Sequence, residues 1–470
     1  MELVTVGPGN DRGDWVDEIL LNGCDREVAL VLGQEITRSE LRMMVAERKS
    51  ELAAAGLVAG GTVALRLPPS RAAIVNLLAV WGLGAQAQLL DYRLTDYEVD
   101  RALLRLAPQY LITSAGAVTG RLRGFHEVVP VLVAREQGLP SLGAHALLQL
   151  SSGSTGPSKI IGRTVPDLIA ELERYFELES FPGEGETVLV MSSTAHVLGL
   201  VGGVLYGLYR HLRVTLPGRT TLDHAMRAIA DAPSPVTVLG VPAQAAVLAA
   251  VQDPPRLPGL RRMITGGELL LPAVRTGFDR AFGVPLGIMY GMTETGMIAT
   301  DLSGGTGSAL TPAPGMTVRE EDGQILVRTA QSPYVGLFDQ SRWVDGWLHT
   351  RDAGSYDPET RQLRIRGRLD SQISIGGLKV DLTEAEQEIG TIPGVTAVVV
   401  LFDKVIEAYV SLSGTLTESE LQNAIATRLA GYKRPRLLRI LPELPRTASG
   451  KLIRDLTVLR DAAKSPEAVA

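Results

Sequence analysis

The sequence lacks several features that would place it in a class of protein directly. It contains one cysteine in 470 residues, Cys24, which excludes an internal disulfide and favours a reducing compartment. We therefore expect a cytoplasmic protein. Aromatic residues make up only 5% of the chain, while alanine, leucine, glycine and arginine are abundant. This bias indicates a GC-rich genome rather than a function.

An excess of positive charge and a long uninterrupted apolar run are also missing. The 46 basic and 52 acidic residues give a net charge of −6, with no basic cluster, so nucleic acid is not an expected partner. Residues 1–17 are polar and acidic and predict no secretory leader. The best candidate for a membrane span, residues 72–90, is interrupted by Asn76, Gly82 and Gly84. A helix running into a buried strand explains it better, and no membrane association is expected.

The length predicts two or three domains, because one hydrophobic core does not extend over 470 residues. Strand-like runs alternate with helical segments up to about residue 315, which indicates α/β architecture with mixed or parallel sheets covered by helices. Short strands separated by turns then predict a small β-rich subdomain at about 315–369. A compact α+β domain is expected at 371–470, and residues 1–369 form the large N-terminal domain. The predicted strands include 62–67, 110–113, 128–133, 187–191, 236–239, 262–265, 287–289, 324–328, 347–350, 362–366, 395–402 and 408–413, and the predicted helices include 71–81, 383–389 and 418–429.

A short loop rich in glycine and hydroxyl groups follows the apolar run 146–150. Glycines let backbone N–H groups approach an anion closely, and hydroxyls and a lysine add donors and charge. The spacing excludes a Walker A loop, because no Gly-Lys-Ser/Thr follows four residues after the first glycine. The loop is predicted to hold polyphosphate, and a flexible turn is the alternative. Its candidate binding residues are Ser151, Ser152, Gly153, Ser154, Thr155, Gly156 and Lys159.

Five further segments carry charged or hydroxyl side chains, and four of them also contain glycines. Two of them end apolar runs, 265–268 and 290–296, where ligands bind at the carboxyl edge of open α/β sheets. The second offers a Thr-Glu pair, which suits magnesium held on phosphates. The segment 350–352 offers a carboxylate for ribose hydroxyls, with a capped turn as the alternative. The last two are the glycine-containing stretch 367–380, at the predicted boundary between the β-rich subdomain and the C-terminal domain, and the lysine-bearing loop 445–451.

The order and content of these segments resemble the adenylate-forming superfamily, which includes acyl- and aryl-CoA synthetases. The resemblance covers nearly the whole chain. Its most specific motifs are Tyr-Gly-x-Thr-Glu at 290–294 and Pro-Arg-Thr-x-Ser-Gly-Lys at 445–451. Members of this superfamily convert a carboxylic acid and ATP into acyl-AMP and pyrophosphate. They then pass the acyl group to the thiol of CoA or of a carrier protein.

The resemblance implies a set of residues for the adenylation step. Lys451 bridges the acyl carboxylate and the α-phosphate, and the loop from Ser151 to Lys159 cradles the β- and γ-phosphates. Glu294 helps to hold Mg²⁺, and Thr293 contacts the α-phosphate. Tyr290 is implied to stack on adenine, with Gly291 beside it. Further implied contacts are Gly266, Gly267 and Glu268 beside the adenine and the acyl group. Asp352 and Arg368 are implied to lie around the ribose.

The same resemblance implies a second set for thioester formation. Asp370 is the hinge about which the C-terminal domain rotates between the two steps. The rotation withdraws Lys451 and brings Gly376 and Gly377 to the pantetheine tunnel. His196 stands where many acyl-CoA synthetases carry a residue that gates the thiol tunnel, although a lone histidine is more often a core residue.

The acid and the acceptor are less specified. Amino-acid-activating relatives carry an aspartate in the region of 192–204 to pair the substrate ammonium, and this chain has none there. The apolar, glycine-rich run 197–205 favours a bulky hydrophobic or aromatic acid. CoA is the expected thiol, a carrier protein is the alternative, and a homodimer is possible.

Three positions depart from the superfamily pattern. Ser158 replaces a proline and Ile160 a glycine in the phosphate loop, and Arg351 replaces the glycine of the ribose motif Thr-Gly-Asp. All three act most directly on ATP. They motivate an alternative hypothesis, in which the enzyme accepts a preformed acyl-adenylate and performs only thioester formation.

Overall fold

The computed structural model describes residues 13–116, 124–151, 159–219, 221–270, 272–305, 309–336, 340–369, 372–412, 416–445 and 452–464. The chain divides into two compact units. The larger unit comprises residues 1–92, 106–150 and 160–367, and the smaller comprises 93–105, 151–159 and 368–470. The division after residue 367 lies close to the hinge position predicted from the sequence, whereas the two short segments of the smaller unit were not foreseen.

The helices and strands alternate along most of the larger unit. The helices are α1 (Arg38–Ala54), α2 (Arg71–Gly82), α3 (Asp96–Leu106), α4 (Val165–Phe176), α5 (Tyr206–Tyr209), α6 (Leu222–Ala230), α7 (Pro242–Ala249), α8 (Pro272–Phe282), α9 (Leu382–Gly390), α10 (Glu418–Arg428) and α11 (Leu456–Ala462), with π-helical segments Val16–Leu20 and Leu198–Leu205 and a 3-10 turn Gln340–Arg342. The strands are β1 (Val28–Leu32), β2 (Gln34–Thr37), β3 (Thr62–Arg66), β4 (Gln86–Leu89), β5 (Tyr110–Ser114), β6 (Pro130–Ala134), β7 (His145–Ser151), β8 (Lys159–Thr164), β9 (Thr187–Val190), β10 (Arg213–Thr215), β11 (Val236–Gly240), β12 (Leu260–Gly266), β13 (Leu286–Met292), β14 (Gly296–Asp301), β15 (Ala309–Pro312), β16 (Val318–Glu321), β17 (Gln324–Arg328), β18 (Tyr334–Val335), β19 (Trp343–Val344), β20 (Trp347–Asp357), β21 (Gln362–Arg368), β22 (Gln372–Ile375), β23 (Leu378–Asp381), β24 (Val395–Phe402), β25 (Ile406–Leu412) and β26 (Leu437–Ile440).

The longest sheet of the larger unit runs in the order β16-β17-β20-β21-β15-β14-β13-β12-β11-β9-β10-β1-β2, with β19 attached to β20. Its central strands β9, β11, β12 and β13 are parallel, so their carboxyl ends meet at one edge. The strands of the predicted β-rich subdomain are antiparallel and continue this sheet through β21 and β15. They also have a hydrophobic core of their own around Ile325, Leu348 and Leu363.

A second sheet of the larger unit has the order β18-β8-β7-β4-β3-β5-β6. It joins β7 and β8, the two strands on either side of the predicted phosphate loop. The strand predicted to follow the helix in residues 72–90 is β4, which pairs in parallel with β3 and β7. Residues of both sheets and of helices α1, α2 and α4 form one large hydrophobic core.

The smaller unit contains the hairpin β22–β23, the sheet β24-β25-β26 and helices α9, α10 and α11. Thr417 caps α10 in a capping box with Glu420, and Leu421, Ile425 and Leu429 are buried. Within this unit the Nζ atom of Lys433 lies 2.8 Å from Glu98 and 3.3 Å from Glu384. These ion pairs join segment 93–105 to the C-terminal residues.

The predicted mixed α/β architecture with a small C-terminal α+β domain is confirmed, and the ends of the predicted elements differ from the observed ones by a few residues. Segment 198–205, read only as an apolar run, is π-helical. Among the described residues, no helix has both the length and the hydrophobicity that crossing a bilayer would require.

Candidate active site

The carboxyl ends of four parallel strands bring together segments that are far apart in the sequence. After β9 come Ser192 and the turn that leads to His196, and after β11 comes Val241. β12 ends at Gly266, and β13 runs directly into the Thr293-Glu294 turn. This edge is where open α/β sheets bind their ligands, as the sequence motifs suggested.

The end of β12 is shaped by close backbone packing. A Cβ atom at Gly266 would lie 2.7 Å from the carbonyl oxygen of Met289, so a side chain there would displace the neighbouring strand. Gly267 has φ +90°, a conformation that L-residues with side chains rarely adopt. The turn before Glu268 therefore depends on both glycines.

The Tyr290–Glu294 motif lies at the join of β13 and β14. Gly291 cannot carry a side chain, because its Cβ would lie 2.5 Å from the carbonyl oxygen of Gly296. The side chains of Thr293 and Glu294 are half-buried. The Tyr334 hydroxyl donates a hydrogen bond of 3.2 Å to Glu294 Oε1 and orients that carboxylate.

Asp352 lies on β20 and is 7% exposed. The hydroxyl of Tyr290 donates a hydrogen bond of 2.6 Å to its Oδ2 atom. The backbone N–H of Asp352 donates to Thr350 Oγ1 at 3.0 Å. The residues implied for adenine and for ribose are therefore direct neighbours, although 62 positions separate them in the chain.

Arg351 has φ +63° and lies in the left-handed region that favours glycine. Its backbone N–H donates to the Gln324 side chain at 3.0 Å, and its guanidinium donates to Ser341 Oγ at 3.1 Å. The strand thus keeps the backbone conformation of a glycine at this position although the side chain differs.

His196 is half-buried and immediately precedes the π-helical segment 198–205. The side-chain amide of Gln149, near the end of β7, donates 2.8 Å to the carbonyl oxygen of the neighbouring Ala195. This bond ties the His196 turn to the strand that enters the phosphate loop. π-helical turns occur frequently at functional sites.

The residues present fit a magnesium ion held mainly by substrate phosphates. Glu294 offers a half-buried carboxylate at the strand edge. No group of three or more His, Cys, Asp or Glu side chains in the described part of the chain could hold a metal by itself. Because Mg²⁺ commonly binds through one or two carboxylates plus phosphate oxygens, one acidic ligand is chemically sufficient here.

The smaller unit carries the other predicted site residues that the structure describes. Lys159 begins β8 and is buried, and Arg368 ends β21. Gly376 and Gly377 form the two-residue turn of the β22–β23 hairpin, with φ values of +58° and +79°. Such a turn needs positive φ at both positions, which accounts for the glycine pair.

Several predicted residues lie outside the described ranges: Ser152, Gly153, Ser154, Thr155, Gly156, Asp370 and Lys451. For Ser151 only the backbone, at the end of β7, is described. Among the described residues near Lys451, the Ile453 N–H donates 2.9 Å to the Pro445 carbonyl. The roles of these residues stay predictions.

Sequence reasoning missed Tyr334 and Gln149, which contact the predicted site residues. Tyr334 belongs to a two-residue strand, β18, that carries no periodic signal. Gln149 does carry a signal, because it is a polar residue between Leu148 and Leu150 in the apolar stretch of β7. A polar side chain at such a position needs a hydrogen-bond partner, and this could have directed attention to it.

Comparison with known proteins agrees with this geometry. The profile of the AMP-binding enzyme family matches residues 21–330, and that of the AMP-binding enzyme C-terminal domain matches residues 384–451. The chain is 26% identical to 2-succinylbenzoate–CoA ligase of Listeria monocytogenes serotype 4b (strain F2365), over 92% of this chain and 96% of that protein. It is 29% identical to feruloyl-CoA synthase of an Amycolatopsis species, over 90% and 93%.

A solved structure shares the fold. It is a double mutant of o-succinylbenzoate CoA synthetase from Bacillus subtilis bound with a product analogue, with TM-score 0.78, 24% identity and coverage of 96% of this chain and 98% of that one. Both family profiles, the ordered motifs and the strand-edge geometry agree. The chain belongs to the AMP-binding enzyme family, and thus to the adenylate-forming superfamily of the acyl- and aryl-CoA synthetase type.

Proposed function

We propose that the protein is an AMP-forming ligase that activates a bulky apolar or aromatic carboxylic acid as acyl-AMP and transfers the acyl group to the CoA thiol. The observation that carries the proposal is the hydrogen bond of 2.6 Å between Tyr290 and Asp352. It presents an aromatic ring for adenine and a carboxylate for ribose hydroxyls side by side. The relatives named above are CoA ligases of carboxylic acids, which supports the same reaction class.

In the first step, a carboxylate oxygen of the acid attacks the α-phosphorus of ATP. The bond between that phosphorus and the oxygen bridging to the β-phosphate breaks, and pyrophosphate leaves. The reaction brings like charges together, so the protein must supply positive charge and positioning. We assign Lys451 to the carboxylate and α-phosphate, Thr293 to the α-phosphate, and Glu294 to the Mg²⁺ that neutralises the phosphates.

In the second step, the thiolate sulfur attacks the acyl carbonyl carbon and AMP leaves with the electron pair of the broken C–O bond. His196 is assigned to the passage that the thiol uses. The Gly376-Gly377 turn is assigned to the pantetheine, because two residues without side chains let a slender chain lie against the backbone. Rotation about Asp370 between the steps remains part of the proposal.

The proposed acid class rests on the π-helical segment 198–205. Gly199 to Leu205 are all buried, and none of these residues can pair a charge. Leu198 lies close to the end of β12, because its Cδ2 would be 3.7 Å from a Cβ at Gly266. The half-buried Leu198 side chain therefore offers an apolar contact at this edge, which favours a hydrophobic acid over an amino acid.

The adenylate-consuming alternative was motivated by the three departures from the family pattern. Two of them are accommodated by the backbone. Ile160 lies in β8 and pairs with Val335 of β18, a position that suits a β-branched residue. Arg351 keeps a glycine-like backbone with its side chain bonded to Ser341. Ser158 lies outside the described ranges. These contacts favour retained adenylation.

A two-arm assay tests the proposal. The purified protein is supplied with a panel of aryl, alkyl and amino acids, together with MgATP and either CoA or a phosphopantetheinylated carrier protein. We expect pyrophosphate release and CoA thioester formation with an aryl or bulky alkyl acid. Thioester formed only from synthetic acyl-adenylate, without pyrophosphate release from any acid, would instead establish the alternative. Preferential loading of the carrier protein would show that the thiol acceptor is a carrier protein and not CoA.

A further inference from the structure

A fully buried carboxylate lies directly behind the Thr293-Glu294 turn. Glu171, on helix α4, is 0% exposed. An ionised carboxylate in the interior is costly unless it is paired and hydrogen-bonded, so its partners indicate what it holds in place.

The two carboxylate oxygens of Glu171 contact different parts of the fold. Oε2 lies 2.5 Å from Nη1 of Arg163 on β8. Oε1 accepts hydrogen bonds from the backbone N–H of Met297 on β14 at 3.1 Å and from the Tyr175 hydroxyl at 3.2 Å. Glu171 therefore links the strand that leaves the phosphate loop to the strand that leaves the Thr293-Glu294 turn.

The contact with the turn is close. Gly296 has φ +74°, and a Cβ atom built there would lie 2.1 to 2.4 Å from the three atoms of the Glu171 carboxyl group. The turn can take this path only because residue 296 is glycine. Arg174, one helical turn further along α4, donates 3.4 Å to the carbonyl oxygen of Thr295. The backbone on both sides of Gly296 is thus held by α4.

Two of the groups that donate to Glu171 are themselves fixed as donors. Burial, reinforced by the charge of Glu171, raises the pKa of Tyr175 well above its ordinary value, so its hydroxyl remains a donor at any working pH. Arg163 is itself buried and also donates 2.9 Å to the carbonyl oxygen of Asp167, which fixes its guanidinium.

We propose that Glu171 is a positioning residue for the nucleotide: by holding Arg163 and the Met297 N–H together, it sets the Thr293-Glu294 turn against the strand that follows the phosphate loop. The inference rests on the proposed adenylation, in which that turn contacts the α-phosphate and the magnesium ion. The mechanism requires both groups to be placed before ATP arrives, because the enzyme supplies positioning rather than covalent chemistry.

The test compares Glu171→Gln with wild type. An amide can accept from Met297 or from Arg163, but the NH₂ group then faces the other donor, so one of the two contacts is lost. We expect E171Q to weaken MgATP binding at least tenfold by titration calorimetry. We expect E171D, which keeps the buried charge but is one methylene too short to reach both partners, to weaken it as well.

Asp301→Asn is the matched control. Asp301 stands at the opposite end of β14, where its carboxylate is paired with Arg275 at 3.2 Å and accepts from the Gly304 N–H at 3.0 Å. D301N should lower the unfolding temperature comparably but leave the Kd for MgATP within about threefold of wild type. Unchanged affinity in E171Q and E171D, or an equal loss in D301N, would overturn the inference.

Titration with AMP separates this inference from the proposed function. A wild-type protein that binds AMP but not MgATP would contradict adenylation alone, and the role of Glu171 would then be decided by the AMP affinities of the same variants. Wild-type protein that binds neither nucleotide would overturn both.

Discussion

At the scale of the residue, the backbone at Arg351 keeps the conformation that the family's glycine would have. Arg351 replaces a glycine yet has φ +63°, and its guanidinium is bonded to Ser341 rather than turned into the ribose motif. Left-handed backbone costs a residue with a Cβ roughly 1–2 kcal/mol, and β-branching makes it worse. Arg351 therefore carries a local strain that does not displace Asp352.

Arg351→Gly tests this view. Relief of the left-handed strain and the greater freedom of glycine in the unfolded chain oppose each other, so the free energy of unfolding should change by less than about 1 kcal/mol. The KM for ATP should stay within about threefold. Arg351→Val should lower stability by about 1–2 kcal/mol and raise that KM, because the Asp352 backbone must shift.

Arg361 supplies the control for this pair. It also has a positive φ, +54°, in the turn between β20 and β21. Arg361→Val should reduce stability to a similar extent without changing the KM for ATP. Equal effects of R351V and R361V on that KM would show that the rise in KM does not come from a backbone shift at Asp352.

At the scale of the element, a cluster of charged and polar side chains in the smaller unit joins helix α11 to strand β25. Arg460 of α11 forms an ion pair with Glu407 of β25, and the Tyr409 hydroxyl donates 2.6 Å to the same carboxylate. Leu459 of α11 is buried with Val399 and Tyr409. The helix that follows the Lys451 loop is thus held by both charge and hydrophobic packing.

This cluster makes the smaller unit sensitive to acid. The Arg460 hydrogen bond, with help from Tyr409, lowers the pKa of Glu407 below its ordinary value of 4.5. The contribution to stability is therefore present above that ordinary value and is lost as the pH falls through the lower pKa of the folded state. Glu407→Gln should be less stable than wild type at pH 7, and the difference should shrink as the pH falls below 4.5.

Hydrogen exchange of peptides from β25 and α11 measures this difference. Tryptophan fluorescence would not, because Trp15, Trp81, Trp343 and Trp347 all belong to the larger unit. Glu443→Gln, at an exposed position of the smaller unit, serves as the control and should leave hydrogen exchange in β25 and α11 at pH 7 as in wild type. A stability difference for E407Q that stays constant from pH 7 to pH 3 would contradict the assignment.

At the scale of the whole molecule, the two units have separate hydrophobic cores. The larger unit carries the Tyr290, Glu294 and Asp352 side chains. The smaller unit contains the positions of Lys451, Gly376 and Gly377. Within the smaller unit, the proposal assigns Lys451 to adenylation and the Gly376-Gly377 turn to thioester formation, so a substitution in that unit can affect one step without the other.

Lys451→Ala tests this separation. Without the ammonium group, the like charges of the acid and the α-phosphate are uncompensated, so adenylate formation from free acid should fall by about 10²–10³-fold or more. Thioester formation from added acyl-adenylate should stay within a few-fold of wild type. Pyrophosphate release and CoA thioester formation are measured separately.

Lys404→Ala, which removes an exposed lysine from the same unit, is the control and should leave both steps unchanged. Parallel loss of both steps in K451A would mean that Lys451 also serves thiol transfer, or that its loss disturbs the whole smaller unit.

The sequence by itself determined the type of most elements and the location of the motifs. Apolar periodicity located α2, β11 and α10, and the glycine pair at 266–267 marked the end of β12, because these signals act between residues a few positions apart. The sequence also indicated the superfamily, because the order of its motifs is recognisable even where sequence identity is low.

Only the tertiary structure decided which distant residues meet. The pairs Tyr290–Asp352, Glu294–Tyr334 and Glu171–Met297 are 62, 40 and 126 positions apart. The first depends on the order of strands in one sheet, the second on contact between the two sheets, and the third on the packing of α4 against β14. Glu171 did leave a local sign, since it shares the buried face of α4 with Leu168, Leu172 and Tyr175. An acid on an apolar face predicts a buried partner but cannot name it, because the partner is brought there by long-range packing and not by local propensity.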